Sequence, residues 1–203
     1  MAVQTEIFKS FDLGRFWDDN DFSLNEYRES PPSADLIASI EEELGYRLPA
    51  SYIALMQTAN GGMPVNTCFP TREATSWDAG HVAICGIFGI GRTRNYSLCG
   101  PFGSPFMIRE WGYPADGVYI CDCLSAGHDM ILLDYTRCGP GGEPEVVHVD
   151  QERGFRKTFL AKDFETFIRG LVSADLYDAP LEDLEALKEG CYSDILKILA
   201  ASE

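Results

Sequence analysis

The sequence predicts an α+β fold in which helices pack on one side of a twisted antiparallel sheet. Apolar residues recur at helical spacing in residues 33–62 and again in residues 161–172. Between these segments lie short apolar runs of strand length, and several are joined by short glycine-containing loops of the kind that connect antiparallel neighbours. Because helices and strands are segregated along the chain rather than alternating, the pattern is typical of α+β proteins and not of α/β proteins.

Residues 33–62 predict two short helices separated by one sharp break. The first begins at the N-cap candidate Ser33 and ends at Gly45, which suits a left-handed backbone position. The second begins at Pro49 and ends at Asn60-Gly61-Gly62. The apolar positions are Ile37, Ile40 and Leu44 in the first helix and Tyr52, Leu55, Met56 and Ala59 in the second. Because charged residues are nearly absent from the second helix, we expect it to be the more buried of the two.

Residues 1–29 predict an N-terminal extension that is both acidic and aromatic. The rings and carboxylates are Phe8, Phe11, Phe16, Trp17, Phe22 and Tyr27 among Asp12, Asp18, Asp19, Asp21, Glu26 and Glu29. Two interpretations stay open. Either the rings pack on the core while the carboxylates face water, or this edge binds a protein, since aromatic residues are enriched at interfaces and carboxylates steer a basic partner.

The middle of the chain combines one strand with two irregular stretches. Residues 63–80 are expected to form a loop that exposes Trp77-Asp78. Residues 82–90 have the length and composition of a strand, and their internal glycines indicate a bulge or a close backbone approach. Residues 91–116 form a long aromatic connection that includes Trp111, and a connection of this length tends to be functional or to contain a short strand, here near residues 106–109.

The second half predicts a meander followed by a helix. Strands are expected at residues 118–123, 130–135 and 145–149, because short loops separate these apolar runs. Residues 161–172 then place Phe164, Phe167, Ile168 and Leu171 on one face of an amphipathic helix. Residues 174–203 predict a C-terminal extension with two further short helices, at residues 180–188 and 193–201.

Composition limits the possible partners and the compartment. The chain has 203 residues, 45% hydrophobic content and a net charge of −16, which disfavours nucleic acids and anionic membranes because both carry negative charge. The charge favours a basic protein partner, or it serves only solubility. No signal-peptide core or membrane-spanning run is visible, so we expect a cytoplasmic protein whose seven cysteines are mostly buried, reduced thiols.

The helical pair and the meander together resemble the SUKH superfamily, whose founding group includes a fungal cell-wall-synthesis regulator. In the first half, the resemblance rests on Glu42, Leu44, Gly45, Leu48, Pro49, Tyr52, Leu55, Asn60, Gly61 and Gly62. In the second half, it rests on the strand 118–123, Gly127-His128-Asp129, Leu133-Asp134, and Ala161 with Phe164 and Phe167. The resemblance implies a core domain at residues 30–173, flanked by extensions at residues 1–29 and 174–203.

A metal site is one possible interpretation of the cysteines. Cys121-x-Cys123 lies near His128 and Cys138, all of them residue types that bind zinc. However, C-x-C on a strand is not the C-x₂₋₄-C knuckle that wraps zinc, and no second knuckle exists. We therefore expect packed thiols and no metal or other cofactor.

Catalytic motifs are also weak. Ser125, His128 and Asp129 are residue types of a hydrolytic triad, but they lie in one hairpin loop and no G-x-S-x-G elbow is present. Turn hydrogen bonds explain Ser125 and Asp129 better. The glycine-rich segment 86–95 matches neither phosphate-binding glycine motif. We expect no enzyme activity.

The resemblance implies a protein-binding domain. Bacterial members resemble immunity proteins that bind a polymorphic toxin, frequently a nuclease, whereas fungal members act as regulatory hubs. The resemblance therefore implies one of these two functions for this chain. A ligand- or metal-binding relative of an enzyme is a more distant alternative. The residues expected to contact a basic partner are Trp17, Asp18, Asp19, Asp21, Trp77, Asp78 and Trp111.

Overall fold

The structure, a computed structural model, describes residues 7–178, with side chains to residue 177. The helices are α1 (Asp21–Glu26), α2 (Ala34–Leu44), α3 (Ala50–Thr58), α4 (Ser104–Glu110), α5 (Phe164–Arg169) and α6 (Asp175–Asp178). The strands are β1 (Trp17–Asp18), β2 (Met63–Pro64), β3 (Cys68–Pro70), β4 (His81–Ile87), β5 (Gly117–Cys123), β6 (Asp129–Asp134), β7 (Glu145–Asp150) and β8 (Arg156–Ala161). The two predicted C-terminal helices lie outside the described residues.

The strands form an antiparallel meander, which confirms the predicted α+β class. Six strands follow one another in the order β3-β4-β5-β6-β7-β8, and β1 pairs with β2 in a separate two-stranded ribbon. The three predicted late strands are present as β5, β6 and β7, each within one residue of the predicted bounds. Strands β3 and β8 were not predicted. β3 has only three residues inside a polar stretch, and the outer strand β8 exposes Arg156 and Phe159, which weakens its apolar pattern.

The predicted helical pair is confirmed together with its caps. Ser33 Oγ accepts a hydrogen bond from Leu36 N at 3.2 Å, and Gly45 ends α2 in the left-handed conformation with φ 77°. Pro49 immediately precedes α3 rather than occupying its first turn. α3 is the more deeply buried helix, as expected, because Tyr52, Leu55 and Met56 have no exposed surface.

The core lies where α3, α5 and the sheet meet. The rings of Tyr52 and Phe164 pack with centroids 4.8 Å apart, and Phe69 of β3 stacks on Phe167 at 5.3 Å. Tyr52, Leu55, Phe164, Phe167 and Ile168 are each at most 1% exposed. The apolar faces predicted for the second helix and for the helix within residues 161–172 therefore contribute to one core.

Asn60 and Gly61 join the end of α3 to two distant segments. Asn60 Nδ2 donates to the carbonyls of Ser30 at 2.6 Å and Ile90 at 2.9 Å, and its Oδ1 accepts from Ile90 N at 2.7 Å. Gly61 has φ 89°, and a Cβ at this position would lie 2.6 Å from Gly89 N. Only a residue without a side chain fits this backbone crossing.

The long connection after β4 contains a helix and not the short strand considered at residues 106–109. α4 (Ser104–Glu110) occupies that position. Ser104 Oγ accepts a hydrogen bond from Tyr119 N at 3.0 Å, which attaches the start of this helix to β5. The aromatic residues of the connection are thereby held close to the sheet.

The N-terminal segment packs on the core and contains an unpredicted helix, α1. Phe8, Phe16 and Tyr27 are at most 6% exposed, so part of its aromatic content is structural. α1 has only six residues, too short for a convincing helical period in the sequence. Within residues 7–178, no helix is both long and apolar enough to cross a bilayer.

Candidate partner-binding surface

The carboxylates of Asp18, Asp19 and Asp21 are exposed at the start of α1, as the sequence suggested. Asn20 caps this helix, since its Oδ1 accepts from Ser23 N at 2.9 Å, and the cap sets the direction of the acidic residues around it. Asp19 also forms an ion pair with Arg28 at 2.6 Å. We call residues 18–24 the acidic edge.

Trp17 supports the acidic edge from beneath. Its ring is only partly exposed and packs edge-on against Phe16 at 4.8 Å, and the Arg28 guanidinium lies 5.6 Å from the ring centroid. The Nε1 atom of Trp17 is buried and has no hydrogen-bond partner among the described residues. Trp17 therefore offers little free surface of its own.

The exposed apolar side chains of the acidic edge are Phe22 and Leu24, at 53% and 37% exposed. The sequence-based site did not include them. The available signal is geometric: Ser23 and Tyr27 are buried and lie four residues apart, on one side of a helical turn, so the positions on either side of Ser23, Phe22 and Leu24, are directed away from the core. This signal could be used only once α1 was known to be helical.

A row of aromatic rings links the acidic edge to the long connection after β4. Phe22 lies 6.1 Å from Tyr27 between ring centroids, and Tyr27 stacks on Tyr96 at 4.6 Å. Tyr96 in turn lies 5.7 Å from Phe102, which is 42% exposed. The two segments are thus in contact through the buried ring of Tyr27, although more than 60 residues separate them in the sequence.

Glu29 holds the first part of the long connection in place. Its carboxylate accepts hydrogen bonds from Thr93 N at 2.6 Å, from Arg94 N at 3.1 Å and from the Ser97 hydroxyl at 2.6 Å. Burial acts to raise the pKa of Glu29, but these hydrogen bonds outweigh it and leave the pKa below its usual value. The N-terminal segment therefore positions the loop that carries Tyr96.

Tyr96 and Phe102 also line a cavity of about 250 Å³, which we call the aromatic pocket. Its aromatic walls are Phe88, Tyr96, Phe102, Phe106 and Trp111. Trp111 also contacts the β5–β6 hairpin, because a Cβ on Gly127 would lie 3.1 Å from its ring. Trp111 was expected to contact a partner, and the structure places it next to the loop aromatics.

Asp122 of β5 forms part of the pocket lining. It is half-buried and accepts hydrogen bonds from the Tyr27 hydroxyl at 2.8 Å and from Gly86 N at 3.2 Å. Burial raises the pKa of Asp122 to about 7, although these hydrogen bonds act to lower it. The predicted irregularity at Gly86 explains the arrangement: the β4–β5 register shifts there, and the Tyr27 ring occupies the space of a side chain.

Trp77 and Asp78 lie in the loop between β3 and β4 and have different neighbours. Trp77 is 37% exposed, as expected, and its Nε1 lies 3.4 Å from His81 Nε2. Asp78 Oδ1 lies 3.0 Å from His81 Nδ1 and accepts from Gly80 N at 2.8 Å. The ring contacts that join the acidic edge to the aromatic pocket do not include Trp77.

The cysteines considered as metal ligands do not converge with their expected companions. The six cysteines of the described region are free thiols, and burial raises the pKa of Cys121 and Cys123 well above its ordinary value. His128 and Cys138 are instead exposed.

One of these cysteines does meet two other residues that can bind a metal: Cys123, Asp129 and His148 are buried, with potential ligand atoms within 4.8 Å of one another. His148 was not singled out in the sequence, because only the β6–β7 pairing brings it to Asp129.

The Asp129 carboxylate lies between a hydroxyl and an imidazole. His148 Nε2 is 2.7 Å from Asp129 Oδ2, while the Ser125 hydroxyl donates to Asp129 Oδ1 and accepts from Asp129 N at 3.0 Å. The expected turn hydrogen bonds of Ser125 are thus present. A hydrolytic triad requires the imidazole next to the hydroxyl, so the order here fits a structural network that closes the β5–β6 hairpin.

The comparison with protein families agrees with this architecture. The SMI1 / KNR4 family (SUKH-1) matches residues 31–170, which include α2, α3 and the complete meander. The search of curated proteins found no match. On the extent of the family match, the chain belongs to the SMI1 / KNR4 family (SUKH-1), a member of the SUKH superfamily.

Proposed function

We propose that this chain is a non-enzymatic protein-binding domain that acts as an immunity protein against a basic, nuclease-type toxin in the cytoplasm. The observation that supports this proposal most directly is the acidic edge. It combines exposed carboxylates at Asp18, Asp19 and Asp21 with the exposed apolar side chains of Phe22 and Leu24, on a chain of net charge −16.

This combination suits a basic protein surface. A nuclease domain carries a cationic groove for phosphate, and closely spaced carboxylates can occupy such a groove in place of phosphate. Phe22 and Leu24 add the apolar contact that carries much of the affinity in protein interfaces. Long-range attraction then sets the association rate, whereas the apolar contacts set the dissociation rate.

The test is a kinetic measurement against the product of the neighbouring gene. The charge-reversed variant carries Asp18→Lys, Asp19→Lys and Asp21→Lys. Each reversal adds two charge units, so the net charge changes from −16 to −10. The matched control reverses the exposed residues Asp35, Glu42 and Glu152, with the same net charge. Asp35 lies in the first turn of α2 as Asp21 does in α1, so the helix-terminus effect is matched as well.

We expect the association rate of the wild type to fall steeply as salt rises, with a smaller change in dissociation. The acidic-edge variant should associate at least about tenfold more slowly at low salt, while the control retains most of the wild-type rate. Equal rates for the two variants would refute the placement of the interface. If no product of a neighbouring gene binds, the immunity function is wrong, and the regulatory function known in fungal relatives becomes the better explanation.

A further inference from the structure

We propose that the aromatic pocket binds one arginine side chain of a basic protein partner, with Asp122 as its ion-pair partner and the surrounding rings as its walls. The identity of the partner rests on the proposed function. The pocket chemistry does not, because it follows from the shape, lining and charge of the cavity.

The size of the pocket suits a single side chain. Its volume of about 250 Å³ is below the range of roughly 300–1,000 Å³ typical of pockets for drug-sized ligands. Aromatic rings from the long connection form much of the wall, and Phe102 stands at the opening with 42% of its surface exposed. A cation close to such ring faces is attracted by their negative electrostatic potential.

The charge of the pocket is uncompensated. In the part of the chain that the structure describes, none of the ion pairs of lysine and arginine side chains involves Asp122. Tyr27 and Gly86 donate to the carboxylate but carry no positive charge. A half-buried carboxylate without a cation has lost part of its hydration, and a bound cation offsets this cost.

Guanidinium fits these features better than ammonium. It is planar, stacks on aromatic faces, and is more weakly hydrated than the lysine ammonium, so less hydration is lost on entry. It also presents several donors in a fork, which can reach a carboxylate whose other hydrogen bonds are already made. Since burial brings the pKa of Asp122 to about 7, a substantial fraction of free protein is protonated at neutral pH, and binding of a cation would release that proton.

The row of rings gives the pocket a place in the partner-binding surface. Tyr27 donates its hydroxyl hydrogen to Asp122, stacks on Tyr96 in the pocket wall, and lies beside Phe22 of the acidic edge. Phe22 and Phe102, the exposed rings at the two ends of this row, are three ring contacts apart, a separation that one protein interface of ordinary size can cover. The carboxylates of the edge attract the partner, and the pocket receives one of its arginines.

The probe is Nα-acetyl-arginine N-methylamide, titrated into protein labelled with ¹³C at the methionine methyl groups. Two of the five methionines, Met107 and Met130, line the pocket, whereas Met56 lies in α3 outside it and serves as an internal control. We expect saturable shifts at Met107 and Met130 and none at Met56. The citrulline analogue has the same shape without the charge and should not bind, and the lysine analogue should bind more weakly.

Variants separate the contributions. Asp122→Asn should weaken arginine binding at least about tenfold, because it removes the charge but keeps the size of the side chain. Phe102→Leu should weaken it roughly two- to fivefold. Asp35→Asn removes an exposed charge in α2, outside both the pocket lining and the acidic edge, and should leave the probe affinity unchanged. Thermal melts of all three variants verify that they are folded.

The outcomes distinguish this inference from the proposed function. Equal binding of the citrulline and arginine probes, full affinity in Asp122→Asn, or absence of saturable shifts would overturn the pocket assignment. Lysine binding as tight as arginine binding would overturn the assignment to guanidinium. Pocket binding without any toxin partner would refute only the immunity function, whereas toxin binding unaffected by Asp122→Asn and Phe102→Leu would place the interface on the acidic edge alone.

Discussion

Replacing Asp122 by asparagine should change how the stability of the protein depends on pH. In the unfolded chain the carboxyl titrates near its ordinary pKa of 3.8, whereas in the folded protein its pKa is about 7. A raised carboxyl pKa means that the folded state favours the protonated form. Its contribution to stability is therefore fully present below pH 4 or so and is lost as pH rises toward about pH 7.

The size of the effect follows from the difference in pKa. About three pKa units correspond to about 4 kcal/mol in total, at 1.36 kcal/mol per unit. Between about pH 5 and about pH 8, roughly 3 kcal/mol of this should be lost in the wild type. The other titratable groups near Asp122 are Tyr27, Cys85, Tyr96, Cys121 and Cys123, and all have raised pKa values, so they remain neutral in this range.

The assay is urea unfolding of the wild type and Asp122→Asn across that pH range. Lost or altered hydrogen bonds to Tyr27 and Gly86 change the free energy of unfolding of the variant by the same amount at every pH. The titration of Asp122 is therefore measured by how the difference in unfolding free energy between the two proteins changes with pH. We expect the variant to gain about 3 kcal/mol relative to the wild type from low to high pH. Parallel curves for the two proteins would refute the claim that Asp122 is half-buried without a compensating cation.

Three further predictions concern the Asn60 crossing, the core, and the buried group of Cys123, Asp129 and His148. Asn60→Ala should lower the free energy of unfolding by about 3 kcal/mol, because it removes three hydrogen bonds to buried or partly buried backbone, and an unchanged urea midpoint would contradict this. Leu55→Ala should cost about 2–5 kcal/mol in the same assay, since the side chain has no exposed surface, and a neutral result would remove α3 from the core. Elemental analysis of protein purified under reducing conditions should find well under one equivalent of zinc, and a chelator should leave the melting temperature unchanged. Stoichiometric zinc would contradict this prediction and would assign Cys123, Asp129 and His148 as ligands.

Rules that depend on residues close together in sequence were sufficient to predict much of the fold. Ser33 and Gly45 cap α2 as their chemistry requires, and the short loops after β5 and β6 make antiparallel neighbours of the strands that they join. These features depend on residues close together in sequence. The resemblance to the SUKH superfamily, confirmed by the family match over residues 31–170, also rests on such local signatures.

Elements whose apolar pattern is short or interrupted were not predictable in this way. β3 has three residues, α1 has six, and α4 starts with Ser104-Pro105 inside a stretch rich in glycine and proline. Each is stabilised mainly by what it packs against. A pattern read over a few residues cannot report on that packing.

The candidate site likewise has some features that the sequence determines and others that depend on the tertiary structure. The sequence by itself determined the acidic, aromatic character of the N-terminal segment, including the carboxylates of Asp18, Asp19 and Asp21 that are exposed. It also determined the helix and strand patterns of the SUKH-1 core. Both follow from the chain alone, because composition and short-range periodicity are properties of the sequence. Only the tertiary structure decided that Trp17 supports this edge while Phe22 is exposed on it, and that Tyr27 and Tyr96 join the edge to Trp111 and Asp122. The physical reason is that a cavity and a half-buried charge arise from contacts between distant segments, and the register of β4 on β5, shifted at Gly86, sets where those segments meet.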